Sequence, residues 1–221
     1  VKLSHSILER PLFLPLPESN ELIWFSERQG WGHLYLYDLN SGQLKHAVTE
    51  EESSTTKNKS SKNNQWLVRN ILHFDAKQRE LLIQTAARDP NISPYYRDIC
   101  RVNIDTGVLT PLATGDHDHM VYSADNLPVK ARGAFGLDSA GVSGISRDGT
   151  YLVTTQSRVD RPPTTVLMDR EGNKILTVET ADPYGLPTDW QWPEPVKLKG
   201  ADGKTDTYGV VYRPPGFSPD K

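Results

Sequence analysis

The segment of this sequence closest to a nucleophile elbow is residues 141–145, GVSGI. In a G-x-S-x-G elbow the serine stands on a sharp turn between a strand and a helix, so that its hydroxyl is exposed and backbone N–H groups can stabilise an oxyanion. Here the second glycine comes one position early, and a strand pattern follows instead of a helical one. We therefore interpret Ser143 as a loop serine that leads into a strand, and we predict no catalytic residue in this chain.

Two polar clusters could bind a cation. His117, Asp118 and His119 offer imidazole and carboxylate ligands, but neighbouring residues rarely converge on one ion without a third ligand, and no H-E-x-x-H motif accompanies them. We predict an exposed polar turn and no metal. The acidic run at residues 50–52 could hold an ammonium group through charge-assisted hydrogen bonds. Because Ser, Thr, Lys and Asn surround this run, we interpret it as a solvated turn.

The cysteine and the tryptophans are also better interpreted as structural residues than as functional ones. Cys100 is the only cysteine, which excludes an intrachain disulfide and a thiolate zinc cluster, and we interpret it as a small buried side chain. Tryptophans could stack on sugars or bases, but their positions at strand starts and turns favour packing between sheets. They are Trp24, Trp31, Trp66, Trp190 and Trp192. No glycine-rich phosphate loop is present, so we predict no cofactor, and the substrate-binding residues stay unassigned.

Charge and composition exclude two classes of partner. The formal net charge is −3 and the isoelectric point is near 6.1, which gives no basic field to attract phosphates, so nucleic acid is not an expected partner. No stretch reaches the roughly 20 apolar residues of a membrane span. The mean hydropathy of −0.56 and a hydrophobic share of 36% fit a chain of many short strands and polar loops.

Short alternating runs bounded by turn residues recur along the chain, as expected for half-buried strands. The first group is a three-stranded meander that begins at Leu22 and passes through turns at residues 29–32 and 40–42. Hairpins follow at residues 69–85 and 96–112, and a third copy begins at Ser146. The phrase LYLYDLNSG is echoed by ICRVNIDTG further along the chain.

A four-stranded meander that repeats every ~40 to 70 residues is typical of a β-propeller. We predict an all-β fold of about three such blades, which form an incomplete ring because natural propellers close with about four to eight. A β-sandwich also spaces its strands regularly, but the matching turns favour repeats. Residues 50–65 contain no apolar side chain and are predicted to be a mobile loop. Residues 116–144 are predicted to be a surface excursion with little regular structure.

Several phrases resemble the propeller of bacterial dipeptidyl peptidase IV-type enzymes, which belong with the prolyl oligopeptidases. Residues 25–38, FSERQGWGHLYLYD, are similar to a blade phrase of that family. Residues 146–151, SRDGTY, resemble its recurrent strand opening, although Arg147 replaces the usual proline. Residues 193–215 resemble the strand pair that leaves the propeller and opens the α/β-hydrolase domain. The resemblance covers nearly the whole chain.

The resemblance implies propeller blades at residues 1–185 and, at residues 186–221, a linker and the opening strands of a truncated α/β-hydrolase domain. It implies a serine peptidase that cleaves after proline or alanine at the penultimate position, with the propeller gating access and helping to bind peptide substrates. The family's catalytic Ser, Asp and His motifs do not occur here, and Glu50 to Glu52 lack the Trp and Tyr that precede its acidic pair. The chain alone is therefore expected to be inactive.

Two other functions remain open from the sequence. A free-standing propeller that binds proteins would form a closed ring, and a complete small hydrolase would need an elbow that we do not find. We also expect the chain to self-associate through open blade faces, because such faces expose apolar surface and unpaired strand edges. The resemblance leaves the compartment open between bacterial periplasm and cytoplasm.

Overall fold

The computed structural model describes residues 12–49, 65–121, 143–214 and 216–218. These residues form fourteen β-strands and contain no helix, hence none that could cross a membrane. Twelve strands make three four-stranded antiparallel sheets in which each strand pairs with its neighbour in sequence, and the last two strands pair with each other. Each four-stranded sheet is one propeller blade, which confirms the predicted all-β fold and its three repeats.

The strand boundaries follow the alternating runs of the sequence. The first blade contains β1 (Phe13–Leu16), β2 (Glu21–Ser26), β3 (His33–Asp38) and β4 (Leu44–Ala47). The second contains β5 (Leu67–Asp75), β6 (Glu80–Ala86), β7 (Arg97–Asn103) and β8 (Leu109–Ala113). The third contains β9 (Asp118–Met120), β10 (Tyr151–Arg158), β11 (Arg161–Asp169) and β12 (Lys174–Thr180). The terminal hairpin consists of β13 (Glu194–Lys199) and β14 (Asp206–Val211).

A left-handed glycine marks the turn between the last two strands of every blade. Gly42, Gly107 and Gly172 have φ values of 67°, 69° and 87°, a region that disfavours residues with a side chain. Each stands 65 residues after the one before it. This spacing is the repeat length of the described blades, and it lies within the predicted range.

Adjacent blades pack face to face, and strand register determines which residues meet. We call the face of a blade that points toward the preceding blade its leading face, and the opposite one its trailing face. In the first junction, between the first and second blades, the trailing pair Ile23 and Leu36 packs against a leading face that includes Ile83. All three side chains are fully buried. Each buried aliphatic side chain of this kind contributes about 1.5–3 kcal/mol.

The second junction joins the second and third blades through the opposite face of the same strands. Leu82 and Ile99 point from the second blade toward Leu152, Val166 and Met168 of the third. Because side chains alternate across a strand, the neighbours Leu82 and Ile83 enter different junctions. One sheet therefore supplies apolar surface to two interfaces, as a propeller requires.

The structure adds two strands to the sequence interpretation. The first blade is a four-stranded sheet, since Phe13–Leu16 pairs with β2 ahead of the predicted meander. The third blade begins at Asp118–Met120, inside the segment predicted to have little regular structure. The turn at Ser146 therefore lies between its first two strands. Both added strands are short, so the alternation that identifies a strand has too few residues to be recognised.

Part of what was predicted lies outside the described residues. This applies to residues 50–64 of the predicted mobile loop, including the acidic run at 50–52, and to residues 122–142 of the excursion. The predicted domain boundary after residue 185 falls between β12, which ends at Thr180, and β13, which begins at Glu194. That boundary stays a prediction.

Candidate functional site

Strand ends divide the propeller blades into two rims. Turns joining first to second and third to fourth strands lie at one end of the sheets, which we call the turn rim. The other end, which we call the loop rim, carries the connections between second and third strands and between successive blades. Charged side chains collect on both rims where two blades meet. These clusters are the groups in the described residues that could bind or react.

The loop rim of the second junction is organised by one ion pair. Arg97, the first residue of β7, donates from Nε to Oδ1 of Asp118 at 2.8 Å and from Nη2 to Oδ2 at 2.5 Å. The Arg97 backbone N–H donates to the same Oδ1 at 2.8 Å. Hydrogen bonding to the carboxylate raises the pKa of Arg97. Asp118 begins β9, so this pair attaches the first strand of the third blade to the second blade.

Two imidazoles flank Asp118, and the structure contradicts the exposed turn predicted for them. His119 is 1% exposed, and its Nδ1 lies 3.0 Å from the Arg97 carbonyl oxygen, to which it donates. The rings of His117 and His119 are 4.4 Å apart. Burial lowers the pKa of His119 to about 4 and also lowers that of His117. Both rings are therefore neutral at physiological pH.

A second arginine completes this cluster. Arg158, at the end of β10, donates to both carboxylate oxygens of Asp160 at 2.8 and 2.7 Å, and it also pairs with Asp116. Tyr96 lies in the field of these charges, and burial raises the pKa of its hydroxyl. Arg161 is exposed and forms no ion pair with a described residue.

Among the described residues, the loop-rim cluster lacks the ligand set of a metal site. Asp118 is already occupied by Arg97, and the described residues contain no group of three His, Cys, Asp or Glu side chains that could hold an ion. The Asp118 carboxylate instead links the second and third blades. The cluster can position a polar or charged ligand at its surface, where Arg161 forms no ion pair with a described residue.

On the turn rim, each junction contains an arginine that bridges two carboxylates. At the first, Glu21 is 4% exposed and accepts from Lys45 at 2.5 Å and from Arg79 at 2.8 Å, while Arg79 also binds Asp105. Burial alone would raise the pKa of Glu21, but the hydrogen bonds from Lys45, Ser19 and Arg79 lower it to about 2.

At the second junction the bridging arginine is Arg170, which lies in the turn between the third and fourth strands of the third blade. Arg170 bridges Asp75 at 2.6 Å and Glu80 at 2.7 Å, and its carbonyl oxygen accepts from Arg101 at 3.0 Å. A small cleft lies beside this bridge, lined by apolar side chains that include Leu82, Leu112 and Leu152.

The remaining predicted residues occupy structural positions. The Ser143 hydroxyl accepts from the Ile145 backbone N–H at 3.1 Å, and no described histidine is bonded to it. Cys100 is fully buried, as predicted, and burial raises the pKa of its thiol. Arg88 donates to its sulfur at 3.2 Å. Asp98 lies nearby, and burial raises its pKa to about 6.

Only one tryptophan packs as predicted between blades. Trp66 is 7% exposed and meets His33 edge to face, with ring centroids 4.7 Å apart. Trp190 and Trp192 contact each other in the segment before the hairpin but stay 42% and 38% exposed. Trp24 and Trp31, at 37% and 36%, are also partly exposed.

The terminal hairpin contacts the loop rim through aromatic rings. Tyr208 of β14 meets Tyr95 edge to face at 6.3 Å. One face of the hairpin carries Lys197 and Lys199, both paired with Asp206, while the other carries apolar side chains that include Leu198, 62% exposed. The hairpin is amphipathic, with its charges paired and its apolar face uncovered by the described residues.

The arginines at the junctions are the residues that sequence reasoning missed. Arg79, Arg97 and Arg170 each stand beside a turn or at a strand start, where charged residues are common on any surface. Alignment of the three repeats would have placed Arg79 and Arg170 at blade corners. Nothing local distinguishes Arg97 from a solvated charge, because its partner Asp118 is 21 residues away in sequence.

Comparison with known proteins identifies the repeats. A protein described as a dipeptidyl aminopeptidase IV from Bacteroides ovatus superposes with a TM-score of 0.61 at 21% identity, over 91% of this chain and 26% of that one. This likeness shows a shared fold, and the chain spans about a quarter of the length of that protein. Puromycin hydrolase matches at 14% identity over 90% of this chain and 24% of its own, with a TM-score of 0.48.

The family is shown by a sequence match. The family model described as the dipeptidyl peptidase IV N-terminal region matches residues 5–128, more than half of the chain. The match includes the whole first and second blades and the start of the third. This chain therefore belongs to the family of the dipeptidyl peptidase IV N-terminal region.

Proposed function

We propose that this chain is the non-catalytic propeller segment of a serine exopeptidase that removes N-terminal dipeptides with proline or alanine at the penultimate position. The observation that carries the proposal is the match to the dipeptidyl peptidase IV N-terminal region over residues 5–128. In such an enzyme the propeller restricts access to a shielded active site and contacts the substrate terminus, which selects for peptide length. Residues 186–221 would then open the α/β-hydrolase domain.

The chemistry of the described residues supports a scaffold role. An activated serine needs a general base within hydrogen-bond reach. No described serine hydroxyl is bonded to an imidazole, and His46 and His119 are bonded to backbone carbonyl oxygens. The β13–β14 hairpin after the third blade favours this proposal over a free-standing propeller, which needs no such element.

The hairpin also indicates which rim would face a catalytic domain. Because Tyr208 packs on Tyr95, the chain passes from the blades into the hairpin at the loop rim. The polar groups there, Tyr96, Arg158 and Arg161, would then lie nearest to an entering peptide. Arg161 is the one of these arginines without an ion pair to a described residue, so it is our candidate contact for a substrate carboxylate or carbonyl.

The experiment compares this chain with the full open reading frame that encodes it. Both proteins are assayed with Gly-Pro and Ala-Pro chromogenic substrates and with a fluorophosphonate probe, and Ser143→Ala serves as the matched variant. We expect turnover and labelling from the longer protein and neither from the chain. Stoichiometric labelling of Ser143, or a longer protein without dipeptide release, would contradict the proposal.

The substrate contact is tested in the longer enzyme. Arg161→Gln should raise KM for peptide substrates severalfold while leaving kcat nearly unchanged, because it removes binding shared by ground and transition states. Lys174→Gln, an exposed charge at the start of β12, is the control. Equal KM values for the two variants would remove Arg161 from the substrate site.

A further inference from the structure

The cleft on the turn rim lies where the second and third blades meet, at the opposite end of the sheets from the loop-rim cluster. It offers about 400 Å³ of free space, part of it open to solvent, and its apolar lining includes Leu82, Leu112 and Leu152. Small-molecule sites in proteins enclose about 300–1,000 Å³ and are lined mainly by apolar side chains with a few polar groups. Both walls of the cleft consist of described residues, with the second blade on one side and the third on the other.

The imidazole of His73 is turned into this cleft by a β-bulge. Ile71 pairs with Ile83, which faces the first junction, and the bulge that follows makes His73 pair with Leu82. Paired residues share a face of the sheet, and Leu82 faces the second junction. Regular alternation would instead have placed His73 on the face of the first junction. Bulges are a common means of re-aiming a side chain.

A glycine of the third blade leaves the space that the imidazole occupies. Gly149 lies in the turn before β10 with a φ of 69°, and a Cβ at this position would stand 2.9 Å from Cδ2 and Nε2 of His73. The glycine therefore allows both the turn and the close approach of the ring. The His73 ring lines the cleft and forms no hydrogen bond with a described residue. Its nitrogens are thus available to a molecule in the cleft.

The charged groups around the cleft are already paired with one another. Arg170 binds Asp75 at 2.6 Å and Glu80 at 2.7 Å. Arg101 also lies beside Glu80, with 3.5 Å between Nε and Oε2, and Asp169 accepts two hydrogen bonds within its own turn. A charged ligand would have to displace one of these partners or remain without a counter-charge in an apolar cleft, and both are costly. The lining therefore selects against anions and cations alike.

We propose that this cleft binds a small neutral molecule with an aromatic or branched aliphatic body and one hydroxyl or amide group. The body packs against Leu82, Leu112 and Leu152, and the polar group forms a hydrogen bond with His73. An imidazole offers a donor and, in its neutral form, also an acceptor, so it can bind a hydroxyl in either direction. Phenol is a simple member of this class and serves as the probe.

The first experiment titrates the ¹⁵N-labelled chain with phenol, benzoate and benzylamine and follows the amide signals by NMR. The three probes share a benzene ring and are neutral, anionic and cationic near neutral pH. Phenol is expected to shift the Gly149 amide to saturation and to leave the Gly42 amide, in the first blade, unchanged. Benzoate and benzylamine are expected to bind more weakly by about tenfold or more. No saturable shift with phenol, or equal binding of a charged probe, would overturn the proposal.

The second experiment locates the ligand with a variant that fills the cleft. Leu82→Phe should abolish the phenol shift at Gly149, because the larger side chain occupies the space. Leu44→Phe, the same change at an exposed position of β4, is the matched control and should leave the shift intact. Full phenol affinity in Leu82→Phe would place the ligand elsewhere and reject the site.

The third experiment tests the imidazole within a single variant, so it does not depend on the folding of Leu82→Phe. His73→Phe keeps a ring of similar size but removes both nitrogens, and it should weaken phenol binding about fivefold. Toluene has no hydroxyl and should bind the variant as well as it binds the wild-type chain. Equal losses for phenol and toluene, or no loss for phenol, would reject the hydrogen bond to His73.

Discussion

The two blade junctions of this chain differ in how much apolar surface they bury. The first is dominated by aliphatic side chains, with Ile23, Leu36 and Ile83 fully buried, and its one buried carboxylate, Glu21, is neutralised by two cations. The second buries fewer apolar residues, while polar contacts cross both junctions; in the first, Arg79 of the second blade pairs with Glu21. In the second junction, Gln84 donates to the His119 carbonyl oxygen at 2.9 Å, and Arg97 forms an ion pair with Asp118.

The comparison distinguishes the apolar contacts that hold two blades together from the polar contacts that fix their alignment. Apolar burial stabilises in proportion to area and has no direction, so the first junction gains strength but little register from it. Buried polar groups are costly unless each finds its partner, so the alignment of each junction is fixed by its crossing polar contacts, Glu21 with Arg79 in the first and Gln84 with His119 in the second. The short strand β9 needs that alignment, because only three residues hold it to β10.

The largest expected effect is a loss of stability, and it differs between two neighbouring residues that face different junctions. Ile83→Ala should lower the free energy of unfolding by about 4 kcal/mol, since it empties a fully buried site of the first junction. Leu82→Ala, one residue earlier and facing the second junction, should cost about 2 kcal/mol because Leu82 is half-buried and already borders a cleft. Urea unfolding of both variants measures the difference. Equal losses would show that the junctions are equally well packed.

Acid should weaken the second junction through His119. Its pKa is about 4 in the folded chain, below the ordinary 6.5, so the unfolded chain takes up a proton first as pH falls. Stability is therefore retained above pH 6.5 and lost between about pH 6.5 and 4, by up to about 3 kcal/mol.

The variant His119→Asn tests this assignment. Asparagine can keep the donor to the Arg97 carbonyl but does not titrate, so the variant should unfold with less dependence on pH across this window. Urea midpoints at several pH values give the slope, and measurements at pH 8 provide the baseline. An unchanged slope in the variant would assign the acid sensitivity to other groups.

The smallest expected effects compare the corners of the three blades. A Cβ added at Gly172 would stand 2.6 Å from the Leu112 carbonyl oxygen, one at Gly107 would stand 3.3 Å from that of Val48, and one at Gly42 would meet nothing within 4 Å. All three glycines are left-handed, which alone costs about 1 kcal/mol for alanine. Thermal unfolding should therefore show the largest loss in free energy of unfolding for Gly172→Ala, about 3 kcal/mol. Gly107→Ala should lose about 1.5 kcal/mol and Gly42→Ala about 1 kcal/mol. Equal losses for Gly172→Ala and Gly107→Ala would mean that the turn at Gly172 is no more closely packed than the turn at Gly107.

The repeats could be predicted because their signals are local. Alternation and turn residues identified most strands. The charged clusters could not be predicted in the same way. Arg97 meets Asp118 only because two blades stack, and His119 is buried only because β9 joins the third sheet.

The amino-acid sequence alone determined the class of fold, since a period of two and repeated strand-turn phrases favour stacked meanders. The tertiary structure decided which charges are paired, which histidines are neutral and which apolar faces are covered. These properties depend on distances between residues far apart in the chain. Ile23 and Val153 illustrate the reason, because they are similar side chains at equivalent positions. Ile23 is buried because the second blade packs on it, whereas Val153 is exposed because no described blade covers it.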